Sequence, residues 1–70
     1  MEKEEYLKIV GNNIVKYRKQ KGLTQFDLSC KIGIEDSALR RIEKGRVNTT
    51  IFMLKRIADE LEVNINDLLP

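Results

Sequence analysis

The sequence predicts a small all-α domain, a compact bundle of five helices. Three observations carry this. Apolar residues recur at helical spacing in every periodic segment, and nothing alternates with the period of two that a strand requires. Glycines and cap-forming residues mark the ends of these segments. The chain has only 70 residues, with no linker, low-complexity tract or internal repeat, so it is one unit spanning residues 1–70. A core of that size is marginal, and efficient helix packing or a partner must sustain it.

The first helix runs from about Lys3 to Lys21, with Leu7, Val10, Ile14 and Tyr17 on one side, and stops at Gly22. Gly11 within it costs roughly 1 kcal/mol against Ala, and a close approach by a neighbouring helix is the usual reason to keep such a residue. Thr24 announces the second helix, with Asp27 three residues on to complete a capping box, and Leu28, Ser29 and Ile32 face inward. Gly33 ends it. Glu35 or Asp36 begins the third helix, which ends at Gly45, and the link between the two is about three residues, a sharp corner. After Arg46, Val47 and Asn48, a cap at Asn48 or Thr49 starts the fourth, with Ile51, Leu54, Ile57, Ala58 and Leu61 on its apolar stripe. Asn64 caps a short fifth helix, with Asp67 three residues later and Leu68 and Leu69 at its apolar end.

Composition narrows the function. There is no histidine and one cysteine, Cys30, which excludes Cys/His zinc patterns and an internal disulfide; a lone thiol fits a reducing cytoplasm. No apolar run nears the roughly 18 residues needed to cross a bilayer, and the acid-rich start Met1–Glu5 lacks the basic flank of a secretory signal. The chain therefore reads as cytoplasmic, with no membrane partner. Neither a catalytic constellation, a metal cluster nor a phosphate loop is present, so no enzyme activity, cofactor or small-molecule substrate is expected. The net charge is only +2, but residues 16–34 carry +4 and residues 37–56 carry +5. Such clustering is the electrostatic footprint of a polyanion binder.

The third helix sorts its charges by direction. At about 100° per residue, Ala38, Leu39 and Ile42 gather on one side and Asp36, Ser37, Arg40, Arg41 and Lys44 on the other, with Glu43 at the border beside the core.

The run Gly11-x-x-Ile14-x-x-x-Arg18, Gly22-Leu-Thr-Gln25-x-x-Leu28-Ser29, Gly33-Ile34, Leu39-x-x-Ile42-Glu43-x-Gly45 and Leu54-x-x-Ile57-Ala58-x-x-Leu61-x-Val63 resembles the Cro/C1-type (XRE-family) helix-turn-helix DNA-binding domain. The resemblance covers roughly Val10 to Leu69. It implies a lambda-repressor-like bundle whose helix-turn-helix spans about residues 24–44, and a sequence-specific regulator of transcription that places its third helix in the major groove of double-stranded DNA. It further implies that Asp36, Ser37, Arg40 and Arg41 meet base edges, that Gln25, Lys44, Arg46, Asn48 and Thr49 meet phosphates, and that Arg18 and Glu43 form an internal ion pair. A homodimer on a two-fold symmetric operator is the working form that follows.

Two departures from the family pattern stand out. Glu35 and Asp36 occupy the first turn of the reading helix, where Ser or Thr and then Gln are common. Two carboxylates favour a helix amino end but repel phosphate. Glu35 is read as a cap and Asp36 as the partner of Arg40, four residues on; alternatively Asp36 accepts a hydrogen bond from a cytosine amino group. Arg41 carries the planar fork that matches guanine's two major-groove acceptors, with a phosphate contact or plain solvent as its other readings. Phe26 and Phe52 fall on nominally polar faces, with Val47 and Met53 nearby in sequence, which raises self-association or contact with the amino-terminal arm. Tyr6 and Tyr17 read as core or core-edge residues, and Cys30 as a spectator thiol on the outward side of its helix. The acidic pair and the two Phe residues also suit an alternative, a protein-interaction module that kept the scaffold and lost DNA binding.

Overall fold

Caps and apolar spacing resolve into α1 (Lys3–Gln20), α2 (Gln25–Ile32), α3 (Asp36–Glu43), α4 (Ile51–Leu61) and α5 (Ile65–Leu68) in the computed structural model, which describes residues 1–70. Each helix sends apolar side chains to one core: Val10 and Ile14, Leu28 and Ile32, Leu39 and Ile42, then Leu54, Ile57, Ala58 and Leu61, and Leu68. Each such Leu or Ile contributes about 1.5–3 kcal/mol over an exposed side chain. The long α1 packs on α3, α4 and α5, while α2 packs on α3 and α4. Asn13 Nδ2 donates to the Leu68 carbonyl at 3.1 Å and ties α5 back to α1. Arg56 donates to the Ile32 carbonyl, so a side chain of α4 satisfies the carbonyl end of α2.

The four longer helices end in one device. In each, a residue donates to the carbonyl five positions back and the left-handed residue before it closes an inner bond: Leu23 to Arg18, Ile34 to Ser29, Arg46 to Arg41 and Val63 to Ala58. The left-handed residue this motif needs is Gly22, Gly33 and Gly45 in the first three, but Glu62 (φ 58°) in the fourth. Leu23, Ile34 and Val63 turn back against the core, as the motif's apolar closure requires. The third helix has the cation Arg46 there instead.

Gly11 is the contact between α1 and α3. A Cβ on it would lie 2.2 Å from the Glu43 carbonyl oxygen, so the two backbones touch directly. Gly45 meets α1 a turn earlier, where a Cβ would be 2.7 Å from the Lys8 nitrogen. The carboxyl end of α3 is therefore seated on the backbone of α1.

Several expectations are corrected. The cap of α4 is Thr50, whose hydroxyl accepts from the Met53 N–H at 3.0 Å, rather than Asn48 or Thr49. Ile51, the first residue of α4, is 79 % exposed and not part of the buried stripe, which begins at Leu54. Met53 turns inward instead. Tyr6, read as core or core-edge, is 40 % exposed and lines a groove beside the buried Val10 and Leu54, so it lies at the edge and not in the core. The third helix closes at Glu43 with Lys44 as its cap residue, two residues before Gly45.

Candidate nucleic-acid interface

The three-residue link Gly33, Ile34 and Glu35 turns α2 into α3. Both sides of this corner are fixed locally. The Thr24 hydroxyl accepts from the Asp27 N–H at 3.0 Å and the Asp27 carboxylate accepts from the Thr24 N–H at 2.9 Å, which closes a capping box. That backbone N–H, helped by the Thr24 hydroxyl, holds the Asp27 carboxyl below its ordinary 3.8. The link itself is pinned by Ile34, half-buried against the core.

On α3, Leu39 and Ile42 are buried while Asp36, Arg40, Arg41 and Lys44 are exposed and Ser37 is half-buried at the edge. The expected partners of the acidic pair do not form. Glu35 occupies the cap position without a side-chain cap bond, and Asp36 makes no ion pair with Arg40. Pairing between exposed chains in water is worth little, so the i,i+4 spacing of Asp36 and Arg40 does not by itself impose it. Both carboxylates therefore stand free at the amino end of α3, and the Arg40 and Arg41 guanidinium groups stand free beside them.

Behind that face lies a network linking three helices. Arg18 Nε donates to Glu43 Oε2 at 2.8 Å and a second guanidinium nitrogen donates to Oε1 at 3.2 Å. The third donates to the Leu23 carbonyl at 3.0 Å. Arg18 and Glu43 are 8 % and 6 % exposed, so the ion pair is desolvated and fixes orientation more than it adds stability. Gln25 joins it, its Nε2 donating to Glu43 Oε1 at 2.9 Å. One amide hydrogen of Gln25 is thereby committed to the scaffold, a role its sequence position did not disclose. The other hydrogen, and the N–H groups of Gln25 and Phe26 that the capping box leaves unbonded, are available to an anion.

Past α3, Lys44 and Arg46 border a basin of about 510 Å³, lined by no hydrophobic residue, together with Glu4, Lys8 and Asn12 of α1. Lys8 and Asn12 were not among the sequence candidates. The available signal was Gly11: a glycine chosen for close approach implies that its neighbours flank whatever approaches. Asn48 and Thr49 lie elsewhere, beside a more apolar groove of about 310 Å³ lined by Met1, Tyr6, Leu7, Val10 and Leu54. Near its rim in sequence are the exposed Val47, Ile51 and Phe52, and Phe26 is exposed on α2. Cys30 is a free, exposed thiol. No cluster of His, Cys, Asp or Glu could hold a metal ion, and no helix is long and apolar enough to cross a membrane.

Comparison with known proteins gives one answer by sequence and by structure. The helix-turn-helix family model HTH_3 matches residues 14–68. An HTH-type transcriptional regulator of Sinorhizobium fredii, y4dJ, is 37 % identical over 57 residues, covering 81 % of this chain and 74 % of that one. SinR of Bacillus subtilis, also an HTH-type transcriptional regulator, is 34 % identical over 62 residues, covering 87 % of this chain. The match spans only 56 % of SinR, about half of that relative's length. Among solved structures, SinR in complex with DNA superposes with a TM-score of 0.79 at 33 % identity, over 84 % of this chain and 95 % of the other. The restriction-modification controller C.AhdI of Aeromonas hydrophila superposes at 0.85 with 25 % identity, over 90 % and 96 %.

Proposed function

The chain belongs to the HTH_3 helix-turn-helix family, and from that premise we propose that it is a sequence-specific double-stranded DNA-binding regulator of transcription that inserts α3 into the major groove. The observation that carries the reading is the outward face of α3. Ser37, Arg40, Arg41 and Lys44 lie on one side of a helix whose opposite side is locked by Leu39, Ile42 and the Arg18–Glu43–Gln25 network. A reading helix must be held this firmly, because base recognition depends on fixed hydrogen-bond geometry.

In this reading Arg41 meets a guanine edge, with Ser37, Arg40 and Asp36 beside it. The unpaired Asp36 carboxylate is free to accept from a cytosine amino group. Lys44, Arg46, Asn48, Thr49 and the remaining donor of Gln25 meet phosphates. Arg46 carries a particular signal, since the helix-ending motif that turns an apolar residue inward on α1, α2 and α4 presents a cation here. One such module reads few base pairs, so a homodimer on half-sites about one helical turn apart is the working form. The exposed Val47, Ile51 and Phe52 favour such self-association. The protein acts where its DNA is, in the cytoplasm, as a bacterial or phage regulator would.

The free carboxylates of Glu35 and Asp36 also suit a competing role, a protein-interaction module on the same scaffold. Duplex binding across a salt series separates the two. The DNA reading expects affinity that falls steeply as salt rises, with Arg41→Ala flattening preference at one base position. Immeasurable duplex binding at low salt would leave the interaction module standing.

A further inference from the structure

We propose that the amino-terminal half of α1 is a third DNA-contacting element, in which Lys8 holds a backbone phosphate together with Lys44 and Arg46. The inference rests on the DNA reading above and extends it to residues that precede the 14–68 span matched by the family.

Position comes first. Gly45 rests on the backbone of Leu7 and Lys8, and Gly11 rests on the Glu43 carbonyl, so Lys8 is held in fixed register with the carboxyl end of α3. Glu4, Lys8 and Asn12, four residues apart, form one row on α1 that faces the basin. Lys44 joins this basin to the reading face, because on the helical wheel it projects between Arg40 and Arg41.

Chemistry comes second. The basin has no apolar lining residue, and three cations border it, Lys8, Lys44 and Arg46. Of the two carboxylates there, Glu43 is already committed to Arg18 and Gln25. Glu4 stands four residues before Lys8, the favourable order for an ion pair, yet none forms. Three cations converge with one free carboxylate between them, and the surplus positive charge suits an anion shared among them. The Asn12 amide adds a neutral donor at the same wall.

The test uses the full chain and two labelled duplexes, a preferred sequence and its scrambled version, titrated from low to moderate salt. Lys8→Gln should weaken both duplexes by about three- to ten-fold at low salt and reduce the slope of log affinity against log salt by about 0.9 per protomer. Glu4→Gln should tighten both. Lys55→Ala, on α4 and paired with Asp59 at 2.6 Å, should change neither. The side chain of Lys8 is exposed, so Lys8→Gln keeps the fold, and circular dichroism verifies it. If the unsubstituted chain binds but Lys8→Gln leaves its slope unchanged, or weakens only the preferred duplex, the inference falls while the DNA reading stands. Absence of salt-dependent binding by the unsubstituted chain would remove both.

Discussion

Replacing Gly11 by Ala inverts an ordinary rule. Inside a helix, Ala is worth about 1 kcal/mol more than Gly. Here the added Cβ would lie 2.2 Å from the Glu43 carbonyl oxygen, 2.7 Å from its carbon and 2.8 Å from the Ile42 carbonyl oxygen, where real Cβ atoms keep at least 3.0 Å. All three are backbone atoms, so no side chain can swing aside, and α1 and α3 must part by most of an ångström. Overpacking of this kind costs about 1–3 kcal/mol, and contact with backbone puts this site at the upper end. Subtracting the helix gain leaves a net loss of about 2 kcal/mol. For a domain this small that lowers Tm by about 8–16 °C. Thermal unfolding followed by far-ultraviolet circular dichroism reads the shift. Asn12→Ala, one residue on and exposed, is the control and should raise stability by a few tenths of a kcal/mol. Because Glu43 anchors α3, Gly11→Ala should also weaken duplex binding at temperatures where the variant is folded. A Gly11→Ala protein as stable as its parent would refute the close seating of α3 on α1.

Three further perturbations follow from the same contacts. Glu43→Ala strands the buried Arg18 guanidinium and should cost about 3–5 kcal/mol in urea denaturation, much of which Arg18→Met with Glu43→Leu should restore; a loss under 1 kcal/mol for the single change would contradict the desolvated pair. Glu62→Gly relieves the left-handed backbone at φ 58° and gives up only the exposed ion pair with Lys21, so Tm should rise by an amount equivalent to about 0.5–1 kcal/mol, and a fall would count against the motif. Asp27 titrates below 3.8 when folded, so its stabilisation is complete above that pH and is lost as pH falls through the lower folded value. The Tm difference between parent and Asp27→Asn should accordingly shrink towards zero in acid, whereas a difference independent of pH would show that the charge is irrelevant to the cap.

How much of this was legible in the sequence depended on the range of each interaction. Thr24 with Asp27, and Gly22 and Gly33 past their helices, act within a few residues, and the helices they bound were readable. Asn48, Thr49 and Thr50 are three cap-competent residues in a row, and only packing of Leu54 and Ile57 selects the last. The same packing leaves Ile51 in solvent, which an apolar spacing cannot reveal. Asp36 and Arg40 have the right spacing to pair, but spacing permits an exposed ion pair without making it favourable. Gln25 and Glu43 are 18 residues apart, so their hydrogen bond belongs to the tertiary fold. The flank of α1 was half legible: Gly11 announced a close approach, but that the end of α3 arrives there, bringing Lys44 and Arg46 beside Lys8, required the structure.

The central claim is that the outward face of α3 reads duplex sequence. In vitro selection of the full chain against random double-stranded DNA tests it most directly. The account expects an enriched two-fold symmetric motif with half-site centres about one helical turn, 34–36 Å, apart and a guanine in each half-site facing Arg41. A library that emerges without an enriched motif, after selection at low salt, would contradict it.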